Sequence, residues 1–530
     1  MSSNYGKNFN TKKTSQRSNV PGKKQVKNNE GGYVFKANTW DLLDRFLILG
    51  SDENTYYASA HTMTQDNAKN IIKLIEKNGT GVVDRIVEIS SSGRAPKNDP
   101  ALFALALCCA PDFADEATRS YAFGKLSSIA RIPTHLYTFN EFLNGFRGWG
   151  RARKTAVGNW FLENKNLEYH AIKYRQRNGW SMRDLLRLSH PVPQTDSQDA
   201  IFHWVTQGEI RKGADIKIIE GYEKLQKAGT AKKAATLIKT YNLPHETIPT
   251  ELKNSPEVWE AMLPNLPITA AIRNLGNMTR YGVLKPMSDN TKQIVSKLTD
   301  EETLRNGRVH PLSLLVALNT YKLGHGIRGG NHWEPVPQIV AALNDAFYKS
   351  FDFVEPSGKR TLLGLDVSSS MTWNDLAGMP GITPSVGAAA MAMVTARTEE
   401  DYHIMGFADT LRSLGISSKD TLDSAIAKTE RMSFGGTDCS LPMRWASENN
   451  VDVDTFVVYT DSQTYAGCNH PFQALNDYRQ KTGIPAKLVV VCMEANEFTI
   501  ADPSDKGMLD VVGFDTAAPN IISGFSREDM

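Results

Sequence analysis

The 530-residue sequence lacks any apolar stretch long enough to span a membrane. Apolar runs such as LLGLDV near residue 362 and KLVVVCM near residue 487 fall well short of the ~20 apolar residues of a transmembrane helix. The amino terminus also lacks the apolar core of a secretory signal. We therefore expect no membrane partner and a cytoplasmic location.

Cysteine is scarce and unpatterned. The five cysteines are Cys108, Cys109, Cys439, Cys468 and Cys492. They form no CxxC pair and no even framework, which argues against a disulfide scaffold and a zinc ribbon. A reducing compartment is expected.

Two common catalytic signatures are also absent. The sequence contains no GxSxG nucleophile elbow and no GxxxxGK[ST] phosphate loop. No histidine follows a predicted strand in the way that a nucleophile and base pair requires. We therefore expect that the protein is not an enzyme.

Acidic side chains are fewer than basic ones in residues 1–360, and basic side chains are fewer than acidic ones in residues 361–530. The formal net charge is only +2, but residues 361–530 carry 11 Lys and Arg against 23 Asp and Glu, leaving a net charge of +14 for residues 1–360. Such asymmetry predicts a nucleic-acid partner for the basic part. Chance variation in surface composition is the alternative explanation.

The pattern along the chain predicts three segments. Residues 1–30 are basic and poor in apolar side chains, which predicts a disordered tail. Residues 31–358 show successive amphipathic helical patterns, which favour an all-α helical-repeat domain over an irregular all-α domain. The first helix is predicted between a cap at Asn38 or Thr39 and Gly50, and the second from Asp66 to Gly79. Further helices are predicted near residues 99–110, 115–130, 135–147, 151–163, 166–177, 181–189, 217–227, 231–240, 256–263, 310–322 and 336–350.

Residues 359–530 alternate between buried-strand patterns and helices. The predicted strands are TLLGLDV, YHIMGF, TFVVYT, KLVVVC and a last strand near 508–514, with helices near 385–397, 420–429, 441–449 and 471–481. This alternation predicts a doubly wound α/β domain with a parallel sheet. Ligands of such sheets bind beyond the carboxyl ends of the strands.

Small oxygen-bearing side chains follow three of these elements. Asp366, Ser368 and Ser370 end the first strand in DVSSS, Thr437 lies in the loop GGTD, and Asp461 ends the strand TFVVYT. Two carboxylates and three hydroxyls suit a hard divalent cation, and we expect Mg²⁺. Each residue alone also fits an ordinary helix cap or turn. In this order the set resembles the metal-ion-dependent adhesion site of von Willebrand factor A domains.

The densest cationic stretch after the tail lies between residues 147 and 190. Lys173 and Arg177 are predicted to share a helix face that ends at Gly179, and Ser181 is predicted to cap the next helix with Asp184. Together with Trp180, this stretch favours a phosphate-binding surface for structured RNA. A solvated helix face with a buried His190 fits equally well. The candidate RNA contacts here are Arg151, Arg153, Lys173, Arg175, Arg177, Arg183, Arg187 and His190.

Long motifs spread over the chain resemble a known family. They are KYRQRNGWS, RDLLRLSHP, RIPTHLYTF, IRNLGNMT, HPLSLLVALNTYKLGHGIRG, VEPSGKR, DVSSSM, GGTDCSLPM, FTIADPSDKGMLD and GFDT. From about Gly31 to the carboxyl terminus the sequence is similar to the sixty-kilodalton Ro autoantigen family of TROVE-domain RNA-binding proteins. The resemblance implies a ring of HEAT-like helical repeats closed by a von Willebrand factor A domain.

The resemblance also implies where RNA binds. Small noncoding Y RNAs would contact the outer basic face through Lys173, Arg177 and His190, which match the family pattern. Met182 departs from it, since His is expected there. Single-stranded 3′ ends of misfolded RNAs would enter a central hole, for which we nominate Arg273, Asn274, His310, His325 and Arg328. The same polar groups could equally cap helices or brace the ring.

The resulting expectation is a monomeric ribonucleoprotein that acts in quality control or degradation of noncoding RNA. In bacterial members of the family, an exoribonuclease tethered by the Y RNA is a further expected partner. The alternative is a protein-interaction scaffold whose A-type domain captures a partner's carboxylate through Mg²⁺. An ion-dependent hydrolase is a more distant alternative.

Overall fold

The computed structural model describes residues 13–50, 69–326, 330–351, 354–376, 379–431, 435–515 and 517–527. These residues divide into two compact units. The described residues up to Gly50 and those from Phe351 onward form one unit, which we call the A unit. Those from Lys69 to Ser350 form the other, which we call the helical unit.

Helices account for most of the described chain. They are α1 (Thr39–Leu49), α2 (Lys69–Ser92), α3 (Asp99–Cys108), α4 (Glu116–Gly124), α5 (Leu126–Ile129), α6 (Pro133–Asn144), α7 (Arg151–Glu163), α8 (Leu167–Lys173), α9 (Met182–Ser189), α10 (Asp196–Gln207), α11 (Lys217–Gln226), α12 (Ala231–Tyr241), α13 (Pro256–Met262), α14 (Ile268–Arg280), α15 (Asp289–Thr299), α16 (Glu301–Asn306), α17 (Pro311–Leu323), α18 (Pro337–Lys349), α19 (Pro384–Thr398), α20 (Leu422–Glu430), α21 (Leu441–Glu448), α22 (Pro471–Thr482) and α23 (Ala517–Arg527). Within the described residues, none of these helices is both long and apolar enough to cross a membrane.

The strands fall into three sheets. They are β1 (Val26–Lys27), β2 (Tyr33–Lys36), β3 (Gln176–Arg177), β4 (Trp180–Ser181), β5 (Thr361–Asp366), β6 (Tyr402–Phe407), β7 (Leu411–Ser413), β8 (Thr455–Thr460), β9 (Lys487–Cys492), β10 (Phe498–Thr499) and β11 (Met508–Val512). The large sheet has the order β11-β9-β8-β5-β6-β7, while β1-β2-β10 and β3-β4 form small ones.

The large sheet of the A unit confirms the predicted doubly wound α/β fold. Its strands β5, β6, β8, β9 and β11 are parallel, and only the short β7 runs antiparallel. Strands β5 and β8 are buried along their whole length, as expected for central strands covered on both faces. Their carboxyl ends lie next to each other, which brings the segments after Asp366 and Thr460 to one edge of the sheet.

The prediction of a disordered tail over residues 1–30 is wrong for its described part. Residues 13–30 belong to the A unit, where Gln16 and Asn28 are fully or almost fully buried. β1 pairs with β2, and β2 pairs with β10 of the A unit. This segment is ordered despite its low apolar content because its backbone pairs with neighbouring strands and its buried amide side chains form hydrogen bonds. Residues 1–12 lie outside the described residues.

The predicted boundaries of the helical domain also shift. We expected it to cover residues 31–358, but α1 packs on β11 and belongs to the A unit. Arg45 on α1 is almost completely buried and donates two hydrogen bonds of 2.8 Å to Asp510 of β11. A buried bidentate ion pair of this kind fixes the helix to the sheet edge.

The helical unit confirms the predicted succession of short amphipathic helices. Its neighbours pack in pairs, such as α2 with α3, α11 with α12, and α17 with α18. Helices α10, α14, α15 and α16 were not anticipated. Helix α2 does not end at Gly79 as predicted, but continues to Ser92 after a kink at Asn78.

The stretch from Leu167 to Ser181 differs from the predicted helix over 166–177. Helix α8 ends at Lys173, and β3 and β4 form a hairpin around Asn178 and Gly179. These two residues have φ values of 52° and 77°, the conformation that an Asn-Gly pair favours in a two-residue hairpin. Gly179 is therefore a turn residue and does not end a helix. Lys173 and Arg177 consequently do not share a helix face.

Candidate nucleic-acid interface and ion site

An open groove of about 730 Å³ lies between α7 and the segment that follows α9. Arg151 and Lys154 on α7 and His190 at the end of α9 line it, and all three are exposed. Trp149 lines the same groove and adds an aromatic face. Cations beside an aromatic ring in an open groove suit a phosphate backbone with an unpaired base.

His190 is exposed, so the alternative of a buried histidine does not hold. It ends α9 in the left-handed conformation with φ 49°, and its backbone N–H donates to the carbonyl of Leu186. The other end of α9 confirms the predicted cap, because Ser181 and Asp184 form a capping box. Trp180 and His190 lie at opposite ends of this helix. The aromatic ring that lines the groove together with His190 is therefore that of Trp149, and not that of Trp180.

Arg153 does not join this surface. Its side chain is completely buried, and it donates from Nε to Asn140 Oδ1 at 3.0 Å and from Nη2 to the Asn140 carbonyl at 2.9 Å. The guanidinium carbon lies 4.0 Å from the centre of the Trp149 ring. Burial and the nearby Arg147 lower the pKa of Arg153 to about 10. The assignment of Arg153 as an RNA contact is therefore wrong, and the residue braces α6, α7 and Trp149.

Lys173 is largely covered by its neighbours. Its side chain is 12% exposed, and Nζ lies 3.5 Å from the carboxylate of Glu246. The rings of Tyr169 and Tyr174 lie 5.3 and 5.2 Å from the same nitrogen. Burial lowers the pKa of Lys173, but these two tyrosines and Glu246 outweigh it, so the pKa is raised overall. Part of its charge is thus already neutralised within the helical unit.

Arg177 lies on the hairpin and is exposed. Its Nη2 is 3.6 Å from Asp99. The hairpin itself is fixed to α6, because Trp180 Nε1 donates to Glu141 at 2.8 Å and Asn178 Nδ2 donates to Thr138 at 3.3 Å. Arg177 therefore lies on a hairpin that is hydrogen-bonded to α6, and not on a helix as the sequence pattern predicts.

The remaining arginines of the stretch are exposed. Arg183 and Arg187 lie one turn apart on α9, as predicted, and Arg187 reaches the carbonyl of Thr206 at 3.4 Å. Arg175 packs its guanidinium 5.5 Å from the ring centres of both Trp204 and Tyr222. These three cations remain candidates for phosphate contacts.

The residues predicted for the second RNA surface differ in how exposed their side chains are. Arg273 on α14 and His325 after α17 are exposed, whereas Asn274 is half-buried and donates to the carbonyl of Ala270 at 2.9 Å. His310 is buried and caps α17 by accepting from the Leu312 N–H at 3.1 Å. Its burial lowers its pKa to about 4. His310 is thus a helix cap, and Arg328 lies outside the described residues.

The predicted ion ligands of the A unit come together at the carboxyl ends of β5 and β8. Ser368 donates its backbone N–H to Asp366 Oδ1 at 2.9 Å, and the hydroxyls of Ser368 and Ser370 are 3.1 Å apart. Asp461 Oδ1 accepts from the Gln463 N–H at 2.9 Å. The carbonyl of Thr437 accepts from Tyr465 N at 2.9 Å and from Ala466 N at 3.0 Å. This loop is therefore fixed to the segment that follows Asp461.

The electrostatics of this cluster fit a divalent cation. Asp366 and Asp461 are each 1% exposed, and Asp461 Oδ2 has no hydrogen-bond partner within the described part of the chain. Burial, reinforced by Asp461, raises the pKa of Asp366 to about 7. Burial also raises the pKa of Asp461, against the effect of the Ser370 hydroxyl. Two buried carboxylates with an unsatisfied oxygen form a site that a cation would stabilise.

A cation at this cluster would need hydroxyl ligands as well as carboxylates. Among the described residues, no three His, Cys, Asp or Glu side chains form a group that could hold a metal ion. A hydroxyl-rich set with no imidazole or thiolate favours Mg²⁺ over zinc.

Sequence reasoning did not single out Trp149, Asn159 or the proline-rich segment after His190 as parts of the groove. Trp149 stands in the run FRGWGRARK, where an aromatic ring among cations was an available signal. The segment PVPQ from Pro191 to Gln194 lines the groove only because α9 ends at His190 and turns the chain toward α7. No local pattern in the sequence predicts that this segment lies next to α7.

The helical unit and the A unit together define a protein of the TROVE and von Willebrand factor A (vWA) class. Residues 26–243 and 240–323 match the TROVE domain family, and residues 360–526 match the Ro60 vWA domain family. The chain belongs to the Ro60 family of RNA-binding proteins.

Named relatives support this assignment over nearly the whole chain. The RNA-binding protein RO60 of Deinococcus radiodurans is 43% identical over 514 residues, covering 96% of each chain. The RNA-binding protein RO60 of Caenorhabditis elegans is 34% identical over 581 residues, covering 94% of this chain and 90% of the relative. The crystal structure of the D. radiodurans RO (RSR) protein matches with a TM-score of 0.73 and 43% identity, over 93% of this chain and 100% of that chain. These relatives are named for RNA binding and not for catalysis, in agreement with the expectation of a non-enzymatic protein.

Proposed function

We propose that this protein binds small noncoding Y RNAs through the cationic surface of its helical unit and acts in quality control or degradation of noncoding RNA. The observation that carries the proposal is the groove that Arg151, Lys154, His190 and Trp149 line together. Its cations are exposed and its ring is held in place by buried Arg153. A pre-organised aromatic face beside free cations is suited to RNA that carries an unpaired base.

The surface around the groove extends the same chemistry. Arg183 and Arg187 project from α9, and Arg177 projects from the hairpin that precedes it. Cations from several neighbouring elements would contact phosphates at several points along a folded RNA. Affinity for such a surface is dominated by counterion release and falls steeply with salt.

A second surface of the helical unit would take single-stranded 3′ ends of misfolded RNAs. Exposed Arg273 and His325 are its candidate contacts, with Asn274 beside them. An exoribonuclease held by the same Y RNA is the partner that would act on such ends. In this proposal the protein is a monomer within the ribonucleoprotein, located in the cytoplasm.

Salt-dependent RNA binding tests the groove. The full chain is titrated with a structured RNA hairpin that carries a single-stranded 3′ tail, and Kd is measured from 50 to 300 mM salt. Arg151→Ala/Lys154→Ala is expected to lower affinity and to reduce the slope of log Kd against log salt by about 1 for each lost phosphate contact. The control is Lys232→Ala/Lys233→Ala, which removes two exposed cations from α12. An unchanged slope for the groove variant contradicts the proposed interface.

The A unit would hold a divalent cation, most simply Mg²⁺, through Asp366, Asp461 and the hydroxyls of Ser368, Ser370 and Thr437. The bound ion would neutralise the two buried carboxylates and keep positions open for oxygen ligands from outside this set. That property supports the second candidate function, in which the A unit captures a partner's carboxylate. The specific observation in favour of an ion there is Asp461 Oδ2, which has no hydrogen-bond partner among the residues that the structure describes.

Thermal unfolding tests the ion. Adding Mg²⁺ at about 100 times its Kd is expected to stabilise the A unit by about 2.7 kcal/mol. Asp461→Asn is expected to abolish the shift, whereas Asp452→Asn, at the amino-terminal end of β8, retains it. A wild-type protein whose melting temperature is independent of Mg²⁺ and Mn²⁺ contradicts the ion site.

A further inference from the structure

Two histidines face each other just after α17 in the helical unit. His325 lies opposite His332 in an antiparallel backbone bridge. The N–H of Gly326 donates to the carbonyl of the residue before His332 at 3.1 Å, and the N–H of the residue after His332 donates to the carbonyl of the residue before His325 at 2.8 Å. The two histidines are therefore a non-hydrogen-bonded pair, the arrangement that brings opposite side chains closest together on one face.

The backbone on one side of this pair is firmly attached to the helices. Trp333 Nε1 donates to the carbonyl of Tyr321 at 3.0 Å, and the two rings stack with their centres 6.0 Å apart. A Cβ at Gly276 of α14 would lie 2.7 Å from the Trp333 ring, so this ring is packed closely on that helix. The side chain of Asn331 accepts a hydrogen bond from Arg280 of the same helix. The histidine between Asn331 and Trp333 is thus held in place by both of its neighbours.

The two imidazole rings are close and accessible. Their centres are 6.0 Å apart, their planes are inclined by 57°, and both side chains are exposed. His325 Nδ1 lies 3.3 Å from the carbonyl oxygen of Gly326. This contact favours the tautomer that carries its hydrogen on Nδ1, which leaves the lone pair of Nε2 free. Histidines that bind metal ions commonly donate their other N–H to a carbonyl in this way.

We propose that His325 and His332 hold a Zn²⁺ ion between their imidazole rings. Imidazole nitrogen is a good ligand for Zn²⁺, Ni²⁺ and Cu²⁺, whereas Mg²⁺ prefers oxygen. Two imidazole rings on one tetrahedral Zn²⁺ have their centres about 5 Å apart, because each Zn–N bond is about 2.0 Å long. Exposed rings whose centres are 6.0 Å apart reach that distance by rotation of their side chains.

This site differs from the ion site of the A unit in its ligands. They are nitrogens, and within the described residues no third His, Cys, Asp or Glu side chain completes a group around them. The remaining coordination positions of the ion are open to water or to a phosphate oxygen. His325 that binds Zn²⁺ through Nε2 and Gly326 through Nδ1 has no nitrogen left for RNA, so a phosphate would contact the ion. The zinc site itself depends neither on the RNA surfaces nor on the ion site proposed above.

Zn²⁺ binding to the full chain, measured by calorimetry, tests the pair. An excess of Mg²⁺ is present throughout, to keep Zn²⁺ out of sites made of oxygen ligands. His325→Gln and His332→Gln are each expected to weaken Zn²⁺ affinity by about 100-fold, because the second imidazole acts at a high effective concentration. The matched control is His403→Gln, which removes an exposed histidine of β6 whose ring packs on Trp445. It is expected to bind Zn²⁺ like the wild type.

Electron paramagnetic resonance of bound Cu²⁺ separates ligation from a structural role. The hyperfine coupling of Cu²⁺ to nitrogen reports how many imidazoles bind the ion. We expect two in the wild type and one in His325→Gln and in His332→Gln. Without metal, both variants are expected to unfold at the wild-type temperature, because both side chains are exposed. A wild-type spectrum with a single imidazole overturns the inference.

The remaining outcomes of the calorimetry are equally decisive. If the wild type binds no Zn²⁺, or if only one of the two substitutions weakens binding, the pair does not hold an ion. If Cys468→Ser abolishes binding, the ion sits on that exposed thiol and the inference is wrong. Asp461→Asn is expected to leave Zn²⁺ affinity unchanged, whatever its effect on Mg²⁺. Weakened binding in both histidine variants, with unchanged binding in His403→Gln, supports the zinc site.

Discussion

Arg153 and Asn140 are joined by two hydrogen bonds, one to the side-chain oxygen of Asn140 at 3.0 Å and one to its backbone carbonyl at 2.9 Å. Both residues are completely buried. The outer face of the same guanidinium packs on Trp149, which lines the groove. The core of the helical unit thereby sets the position of the aromatic ring that we assign to RNA.

This relationship predicts that two arginines two residues apart have different functions. Arg153→Met is expected to destabilise the helical unit by about 3 kcal/mol, because two buried oxygens of Asn140 lose the hydrogen bonds that Arg153 donates to them. Arg151→Met is expected to leave stability within about 0.5 kcal/mol, because the side chain is exposed. Urea unfolding of both variants measures the difference. Equal destabilisation by the two substitutions would contradict the brace.

Lys173 and Arg177 are expected to differ in the same way. Lys173→Ala removes the contact with Glu246 and the packing of Tyr169 and Tyr174, and should cost about 1 kcal/mol of stability with little change in the salt dependence of RNA binding. Arg177→Ala should leave stability unchanged and reduce the salt slope by about 1. Salt series on both single variants decide this. The Lys173→Ala/Glu246→Ala pair completes a double-mutant cycle for the ion pair.

Whether an element is a helix or a strand can be predicted from the sequence in most cases. The period of the apolar residues and the composition of strands depend directly on which side chains are buried. The strand that ends at Asp366, the strand that ends at Thr460 just before Asp461, and the capping box at Ser181 are predicted correctly. The helix predicted over 166–177 is wrong beyond Lys173, because Asn178 and Gly179 form a two-residue hairpin turn between β3 and β4. The Asn-Gly pair is the local signal for this turn, whereas the spacing of Lys173 and Arg177 fits a helix by coincidence.

Other differences depend on contacts that no local pattern reveals. Arg153 is as cationic as Arg151 in the sequence, and only the buried Asn140, 13 residues earlier, makes it a core residue. Gln16 lies in a stretch with the composition of a disordered tail, yet its partners are Asp438 and Asn469, more than 400 residues away. Long-range polar partners of this kind stabilise a segment that hydrophobicity alone would leave unfolded.

His310 predicts how the helical unit responds to acid. Its pKa is lowered to about 4 in the folded state, against an ordinary value of 6.5. Between pH 6.5 and 4 the imidazole of His310 is protonated in the unfolded chain but not in the folded one. The contribution of His310 to the free energy of unfolding is therefore fully present above pH 6.5, and about 3 kcal/mol of it is lost as the pH falls to 4. His310→Asn keeps a side-chain oxygen for the Leu312 N–H and should remove this part of the loss.

Unfolding free energies measured between pH 8 and 4 check the prediction. The control is His190→Asn, whose ring is exposed at the end of α9 and whose left-handed backbone Asn tolerates. At pH 8 this variant should unfold with the wild-type free energy, which controls for replacing a histidine by asparagine. If His310→Asn keeps the wild-type profile, His310 does not bear the acid sensitivity.

Gly32 predicts how the amino-terminal segment can be detached. An alanine Cβ at this position would lie 1.9 Å from the backbone oxygen of Thr464, which cannot rotate away as a side chain could. Gly32→Ala is therefore expected to lift residues 28–32 from the loop after Asp461. The chain at Lys24 and Lys27, whose side chains are already exposed, should then be cleaved faster by trypsin because its backbone is no longer held in place. Gly124→Ala is the control, since its Cβ meets nothing within 4 Å; it should gain up to about 1 kcal/mol from helix propensity and leave the cleavage pattern unchanged. Cleavage of Gly32→Ala at the wild-type rate would contradict the conclusion that close packing of Gly32 on Thr464 holds the segment in place.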